Sequence, residues 1–338
     1  ELGGAVIGLF RFDETEFTEE TALMVTESNE IGYFEFDKVP AGNFLVREIA
    51  PPKAFVLTEE IFPVEITEDG QTIEITIENQ IIKGTAETIK VDADYPDHKL
   101  SGAVFEVYAD VDNNGEFNAD IDKLAGEMTE TEPGLYQMKD LVYGNYFLHE
   151  KEAPEFFEKD DGYYPFSITE NEAIVRIETE AGVGFLNKAQ TGSLKVVKTA
   201  DDDKIEGRTF KISGTDFMGN DYEQEFKTDE NGEIHVTLRV GEYTVSEVAG
   251  EDSDKYILPD DQTVEIKAGE TTTVKMHNKL VPEVPSVPQT GDNPWMPAIL
   301  STLAGLAVLS GGALLFLRYT GKKRKSADQA DEDQGTEE

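Results

Sequence analysis

Residues 134–154 read GLYQMKDLVYGNYFLHEKEAP, and the architecture of the chain can be worked out from this segment. Its apolar and polar side chains alternate, so that Tyr146, Leu148 and Glu150 share one face. A period of two is typical of a β-strand with one buried side, whereas an amphipathic helix shows a period near 3.6. The segment therefore predicts β-strands.

The same segment occurs three times along the chain, which indicates an internal repeat. Its other two copies are GYFEFDKVPAGNFLVREIAPP at residues 32–52 and GEIHVTLRVGEYTVSEVAG at residues 232–250. A second element reads LGGAVIGLF from residue 2, LSGAVFEVY from residue 100 and IEGRTFKIS from residue 205. A third reads FPVEITEDGQTIEITIENQ from residue 62, YPFSITENEAIVRIETEAGVGFLNK from residue 164 and QTVEIKAGETTTVKMHNK from residue 262. The chain is thus predicted to contain three copies of one module.

Each copy is predicted to be an all-β sandwich. Short strands bounded by turn signals such as EDGQ, ENGE and KAGE are typical of sandwiches of roughly 80 to 110 residues. The predicted modules span residues 1–82, 83–189 and 190–280. We interpret the first as truncated at its N-terminus, because the other two have a strand ahead of the element with which it begins.

Composition excludes several classes of protein. The 70 acidic and 29 basic residues give a net charge of −41, which is the wrong sign for binding nucleic acid. There is no cysteine, so disulfides cannot stabilise the fold. The acidic residues alternate with apolar ones, which indicates folded domains and not a disordered acidic tail.

The C-terminal part of the chain has a different pattern. A Pro-rich linker at residues 281–297 contains the pentapeptide Val287, Pro288, Gln289, Thr290 and Gly291. Residues 298–317 are 20 residues without a charge, and a helix rising about 1.5 Å per residue would cross a hydrocarbon core of about 30 Å. The tail at 318–338 is first basic and then acidic, which predicts a cytoplasmic C-terminus and exported modules.

The order of pentapeptide, apolar span and basic cluster resembles the cell-wall sorting signal of Gram-positive surface proteins, the LPXTG family. In that family a sortase cuts between Thr and Gly and joins the Thr carboxyl to an amine. The resemblance implies cleavage between Thr290 and Gly291, with a peptidoglycan precursor or a pilin lysine as the amine acceptor. The protein is then expected to be secreted and anchored to the cell wall, spanning the membrane only before cleavage. Val287 stands where the family has Leu, and a permanent membrane anchor is the alternative interpretation of residues 298–317.

Three polar residue types recur where the strand pattern would place an apolar side chain. They are a glutamate at Glu48, Glu150 and Glu247, an asparagine at Asn79, Asn187 and Asn278, and a lysine at Lys90 and Lys198. The Glu to Asn spacing is 31 residues in the first and third copies (79 − 48 and 278 − 247) and 37 in the second (187 − 150). Taken alone, these residues predict a hydrogen-bonded polar cluster or a salt bridge, because buried charges need partners.

The modules resemble the Cna-B or SpaA type domains of Gram-positive pilins and adhesins, which form a prealbumin-like sandwich. In that family a buried lysine attacks an asparagine amide, ammonia leaves, and a buried acid transfers the proton. The resemblance implies two isopeptide bonds, each with an assisting glutamate: Lys90 to Asn187 with Glu150, and Lys198 to Asn278 with Glu247. The first copy has Glu48 and Asn79 but no lysine, so it is expected to stay unlinked.

One loop of the second copy resembles a calcium site. In DVDNNGEFNADID, Asp110, Asp112 and Asn114 occupy alternate positions and Gly115 lies at the turn. The bidentate glutamate of such loops is absent, because Ile121 occupies its position. An Asx-rich hairpin turn is the alternative, and no other cofactor is expected.

These patterns predict a structural protein, the stalk of a sortase-anchored adhesin or of a minor or basal pilin. Its only expected chemistry is on itself, so it is not expected to be an enzyme with an external substrate. One alternative is a module that binds a host or matrix protein through an aromatic patch around Phe156, Phe157, Tyr163 and Tyr164. The other is the wall-attachment region of a cell-wall enzyme whose catalytic domain lies upstream.

Overall fold

The computed structural model describes residues 3–283, and its regular elements are β-strands apart from one turn of 3₁₀ helix. The all-β prediction is therefore confirmed. The sorting pentapeptide, the predicted membrane helix at 298–317 and the tail lie outside the described residues. Within residues 3–283 no helix is long and apolar enough to span a membrane.

The first module has one complete sheet. Its strands are β1 (Val6–Arg11), β2 (Met24–Glu27), β3 (Gly42–Ala50), β4 (Phe55–Val56), β5 (Ile61–Ile66) and β6 (Gln80–Ile81). The antiparallel sheet has the order β2-β1-β3-β5, and β4 pairs with β6. Residues 28–41 and 67–79 contain no strand, although they correspond to strands of the other modules. Their aromatic and aliphatic side chains nevertheless pack on the inner face of the sheet.

The second module is a complete sandwich. Its strands are β7 (Lys83–Asp92), β8 (Val104–Ala109), β9 (Lys123–Glu127), β10 (Thr129–Glu132), β11 (Leu135–Val142), β12 (Gly144–Glu152), β13 (Tyr163–Ile168), β14 (Ile174–Arg176) and β15 (Phe185–Asn187). One sheet has the order β10-β11-β7-β14 with β15 also on β7, and the other has the order β13-β12-β8-β9. The buried side chains of both sheets form one core.

The third module repeats this architecture. Its elements are β16 (Thr191–Ala200), β17 (Thr209–Asp216), β18 (Asp221–Lys227), β19 (Glu233–Arg239), β20 (Gly241–Glu247), η1 (Ser253–Lys255), β21 (Tyr256–Ile257), β22 (Gln262–Ile266) and β23 (Thr271–Leu280). The sheets have the orders β19-β16-β23-β21 and β18-β17-β20-β22 around a second core.

In both complete modules the first strand lies beside the last strand and runs parallel to it. In the second module Asn187 on β15 is opposite Asp92 on β7. In the third, Asn278 on β23 is opposite Ala200 on β16. The residue opposite each asparagine comes two positions after a lysine, and residues two apart on a strand share a face. The pairing therefore brings each lysine and asparagine to the same face of the same sheet.

The second and third modules meet at a cluster that we call the joint. Phe157 is 3% exposed and packs edge-on against Phe217 of the third module, with ring centroids 5.3 Å apart. Phe156 lies against the same ring at 5.2 Å, and its carbonyl accepts a hydrogen bond from the amide of Gln190. Tyr164 packs on the core of the second module. Tyr163 stacks on Phe117 with ring centroids 3.6 Å apart and on His149 at 4.2 Å. All four aromatic residues considered for a binding patch thus have intramolecular partners.

Arg239 of the third module forms ion pairs at the joint. Its guanidinium lies 2.5 Å from Asp92 and 2.8 Å from Asp216, whose carboxylates are buried. It also stacks over the ring of Tyr95 at 5.0 Å. Since Asp92 and Tyr95 belong to the second module, the arginine joins the two modules directly.

Candidate functional site

The second module contains a buried triad of Lys90, Glu150 and Asn187. The exposed fractions of these residues are 0%, 0% and 2%. The lysine Nζ lies 2.9 Å from the Glu150 Oε1 and also donates a hydrogen bond to the Asn187 Oδ1. The asparagine Nδ2 donates to both carboxylate oxygens, at 2.9 Å each. The glutamate thus contacts both the amine and the amide nitrogen.

The pocket around this triad is aromatic. Lys90 Nζ lies 4.1 Å from the centroid of Phe185 and 5.6 Å from that of Phe105. The Glu150 Oε2 accepts a hydrogen bond from the amide of Asp160 at 2.8 Å. Burial in these surroundings lowers the pKa of Lys90 to about 8, although the charge of Glu150 opposes the shift.

The third module contains a corresponding triad of Lys198, Glu247 and Asn278. Lys198 Nζ lies 2.7 Å from the Glu247 Oε2, and Asn278 Nδ2 donates to the Glu247 Oε1 at 2.8 Å. The lysine is 1% exposed and the asparagine 0%. Burial lowers the pKa of Lys198 as well, against the opposing influence of Glu247. Among the described residues the buried Asn278 Oδ1 has no hydrogen-bond partner.

These triads have the parts of an acyl transfer from asparagine to lysine. A neutral amine is a nucleophile, and a carboxyl that touches both nitrogens can move a proton between them. Burial disfavours the charged form of each lysine and lowers its pKa, so it favours the neutral amine. In the second module Lys90 contacts Asn187 directly, and in the third Lys198 and Asn278 contact the same glutamate. Holding the groups in this way reduces the entropic cost of bringing them together. The arrangement is therefore compatible with the bond formation that the family resemblance implies.

The first module has the glutamate and the asparagine in the same geometry. Asn79 Nδ2 donates to the two Glu48 oxygens at 2.9 Å and 2.8 Å. The Glu48 Oε2 accepts from the amide of Thr58, ten residues on, as Glu150 does from Asp160. Glu48 is 1% exposed.

The predicted calcium loop brings three carboxylates together. One oxygen from each of Asp110, Asp112 and Asp122 lies within 4.8 Å of the others. Asn114 donates its side-chain amide to Asp112 at 2.9 Å. Asp110 and Asp122 also accept backbone amides of the loop, as expected of an Asx-rich turn. The loop geometry is therefore compatible with both interpretations.

Some features of the site were not apparent in the sequence. The aromatic pocket around Lys90 includes Phe105, which belongs to a strand distant in sequence. The amides of Thr58 and Asp160 lie in irregular segments. The equal spacing of ten residues from each glutamate is the only signal that could have identified them.

Comparisons with known proteins support the repeated fold. The family model "SpaA: Prealbumin-like fold domain" matches residues 1–81, 84–182 and 192–280. No curated protein sequence matches the chain.

Among solved structures, the Bacillus anthracis TIE protein is similar at 25% identity, with a TM-score of 0.60 and coverage of 82% of this chain and 48% of that chain. The present chain thus spans about half the length of that structure. GBS52, the minor pilin of Streptococcus agalactiae, matches at 18% identity with a TM-score of 0.26, covering 61% of this chain and 99% of that chain. A streptococcal ancillary pilin matches at 17% identity with a TM-score of 0.30, covering 84% and 94%. TM-scores this low establish no shared overall arrangement.

Proposed function

Because this chain belongs to the SpaA family of prealbumin-like fold domains, we propose that it is the stalk of a bacterial surface protein, a minor or basal pilin or an adhesin. Its second and third modules are closed by isopeptide bonds, from Lys90 to Asn187 and from Lys198 to Asn278. The observation that carries the proposal is the buried contact of lysine, glutamate and asparagine in each module.

The bond forms by proton transfer and substitution. A proton passes from the Lys90 ammonium to Glu150, leaving a neutral amine beside a protonated acid. Nζ then bonds to the Asn187 Cγ, and the Cγ–Nδ2 bond breaks. The acid gives its proton to the departing Nδ2 and takes a second one from Nζ, so neutral ammonia leaves and the glutamate is left protonated. It returns to the carboxylate when this remaining proton passes to the ammonia or to solvent. Glu247 has the same role between Lys198 and Asn278.

Each bond changes how the module responds to force. The bonded residues are 97 apart in the second module and 80 apart (278 − 198) in the third. By analogy with a disulfide closing a loop of similar size, each bond stabilises its module by about 4 to 5 kcal/mol. Because the bond joins the first strand to the last, tension passes through it and bypasses the strands between. A stalk that must not lengthen under load benefits from this arrangement.

The C-terminal region supplies the anchor in this proposal. A sortase cleaves after Thr290 and joins it to a peptidoglycan precursor or a pilin lysine, which makes the protein a cell-wall component outside the cell. Changing Thr290 to Ala should convert the wall-linked, detergent-resistant form into a detergent-soluble one in cell fractions. Unchanged fractionation would instead support a permanent membrane anchor.

The crosslinks are tested by intact mass. Residues 3–283, purified in folded form, should weigh about 34 Da less than their sequence mass because two ammonias have left. Glu150→Gln should restore about 17 Da, since it prevents only the second-module bond. Glu106→Gln is the matched control, because Glu106 is also buried in this module but contacts Tyr108 and Lys151. A wild-type mass without loss overturns the proposal.

A further inference from the structure

The segment at residues 153–162 connects the joint to the triad of the second module. Near its end, the amide of Asp160 donates a hydrogen bond to the Glu150 Oε2 at 2.8 Å. Three residues earlier, Phe157 is buried and packs edge-on against Phe217 of the third module, with ring centroids 5.3 Å apart. One short segment thus contacts both the glutamate that assists the bond and the neighbouring module.

This segment has a backbone conformation that needs support from its surroundings. Phe156 has a φ of +63°, in the left-handed region that bulky residues rarely occupy. Its carbonyl accepts the amide of Gln190 at 2.7 Å, and its ring lies 5.2 Å from that of Phe217. Gln190 also donates its side-chain amide to the carbonyl of Phe157 at 3.1 Å. Strained backbone persists where surrounding contacts fix it, and here the third module supplies part of those contacts.

The joint also borders the other two members of the triad. Asp92 follows Lys90 by two residues on β7 and lies opposite Asn187. Its carboxylate pairs with Arg239 of the third module at 2.5 Å. Gln190 follows Asn187 by three residues, and its carbonyl accepts the backbone amide of the residue between β19 and β20. The third module therefore fixes the chain close to each of the three triad residues.

The position of the Glu150 carboxylate decides whether it can move a proton between the two nitrogens. Its Oε1 lies 2.9 Å from the Lys90 Nζ, and both of its oxygens lie 2.9 Å from the Asn187 Nδ2. The Asp160 amide holds Oε2 and thereby leaves Oε1 directed at the lysine. Proton transfer requires hydrogen-bond distances, and a displacement of about 1 Å can lower a rate about 100-fold.

We propose that docking of the third module positions Glu150, so that the bond between Lys90 and Asn187 forms rapidly only after the two modules have docked. Phe217 is the positioning residue, because it contacts none of the three triad residues and acts through residues 153–162. This inference rests on the isopeptide chemistry proposed above. It makes crosslinking of the second module depend on its assembly with the third.

The triad of the third module provides an internal control. Among the described residues, Glu247 accepts its hydrogen bonds from Lys198 and Asn278, and no backbone amide of the joint donates to it. The bond of the third module should therefore form at the same rate whether or not the modules are docked.

The test follows both bonds in chain that is recovered unfolded from inclusion bodies and refolded at pH 7. Intact mass measures the loss of ammonia with time, and tryptic mapping assigns each loss of about 17 Da to one module. In Phe217→Ala the second-module bond should form at least about tenfold more slowly than in wild type, while the third-module bond keeps its rate. Phe217→Leu, which retains apolar bulk, should give a rate between the two.

Phe226→Ala is the matched control for loss of an aromatic ring from the third module. Like Phe217, Phe226 is half-buried, but it packs on the third-module core. This variant should leave the rate of the second-module bond unchanged. If it slowed that bond as much as Phe217→Ala does, the effect would come from lost stability of the third module, and the inference would be overturned.

Hydrogen exchange measures the positioning without the bond. In an Asn187→Ala background, which cannot form the second-module bond, the Asp160 amide should exchange faster when Phe217→Ala is added. Amides in the centre of β8 should exchange as before. An unchanged Asp160 amide would overturn the inference.

The outcomes for this inference and for the proposed function are distinct. Equal rates of second-module bond formation in wild type and Phe217→Ala would overturn the inference and leave the proposed function standing. Equal slowing of both bonds in Phe217→Ala would do the same, because the effect would then be general. A wild-type chain that loses no ammonia would overturn both.

Discussion

Glu150 is the residue on which the proposed isopeptide bond of the second module depends, because it contacts both Lys90 and Asn187. Its oxygens lie 2.9 Å from the lysine nitrogen and 2.9 Å from the amide nitrogen of Asn187. Glu150 and Lys90 hold one proton between them. It lies on the lysine in the ion pair and on the glutamate in the neutral pair. Proton transfer inside the pair therefore needs no exchange with solvent.

This sharing predicts how the reaction depends on pH. Because burial lowers the pKa of Lys90 to about 8, the pair keeps its shared proton below this value and loses it above. The rate should therefore be level from about pH 6 to 7 and fall up to about tenfold per unit well above pH 8, where the acid needed by the leaving group is missing. Intact mass followed over time, in chain refolded from inclusion bodies, measures this rate. A rate that rises through pH 8 would show that the neutral amine suffices without the acid.

The burial of Lys90 is the part of the site that the sequence predicted least clearly. Thr88 precedes Lys90 on the same face of the strand. A threonine does not indicate whether that face is buried or exposed, because it occurs readily on either face. In the structure Thr88 is fully buried, and its hydroxyl is satisfied there by donating a hydrogen bond to the carbonyl of Ile177 at 2.7 Å. The alternation around Lys198 was clearer, since Leu194 and Val196 precede it.

At the scale of elements, the parallel pairing of first and last strands brings each triad lysine and asparagine to the same face of one sheet. Thr191–Ala200 and Thr271–Leu280 run side by side, although some 80 residues separate them. The alternation of each strand is local and could be predicted. The pairing could not, because a period of two says which face is buried but not which strand is the neighbour.

Gly192 marks how closely the third module packs around its first strand. A Cβ at this position would lie 2.2 Å from the carbonyl oxygen of Lys267, a backbone atom that cannot rotate away. Gly192→Ala should therefore lower the free energy of unfolding of this module by about 1 to 3 kcal/mol, measured by hydrogen exchange of β16 amides in denaturant. Gly250→Ala is the control, since a Cβ there meets nothing within 4 Å, and it should change stability by less than about 0.5 kcal/mol. Equal effects would contradict the close packing.

The Asp110 loop gives a second prediction at this scale. Three carboxylates within 4.8 Å repel one another, so a calcium ion that neutralises them should stabilise the second module. The thermal midpoint should rise with calcium relative to EDTA, and Asp112→Asn should remove the response. Asp120→Asn, in the same loop but outside the cluster, should retain it. No response in the wild type would leave the Asx-rich turn as the complete explanation.

At the scale of the molecule, the joint sets the orientation of the second module relative to the third. Its central residue, Arg239, was not predicted to be functional, because its partners are distant in sequence. Asp92 is 147 residues away and belongs to a different module. A sequence pattern indicates which face of a strand is buried, but it does not indicate which residues of another module that strand contacts.

Removing the arginine should release the joint. Arg239→Met leaves the Asp92 carboxylate buried without a cation, which costs about 3 to 5 kcal/mol for as long as the modules stay docked. Residual dipolar couplings of residues 83–280 should then show the two modules reorienting independently. Arg208→Met is the matched control, because Arg208 is equally buried but pairs with Asp252 within the third module. A fixed orientation in Arg239→Met would show that the aromatic contacts suffice.

The central claim, that each complete module is an inextensible link, is tested most directly by pulling on residues 83–280 held at their two ends. With both bonds present, neither module should release length before the attachment breaks. Glu150→Gln should restore a step of about 330 Å, from 97 residues at about 3.4 Å each. Steps of about 330 Å and 270 Å in the wild-type protein would show that the modules unfold from end to end, and would contradict the account.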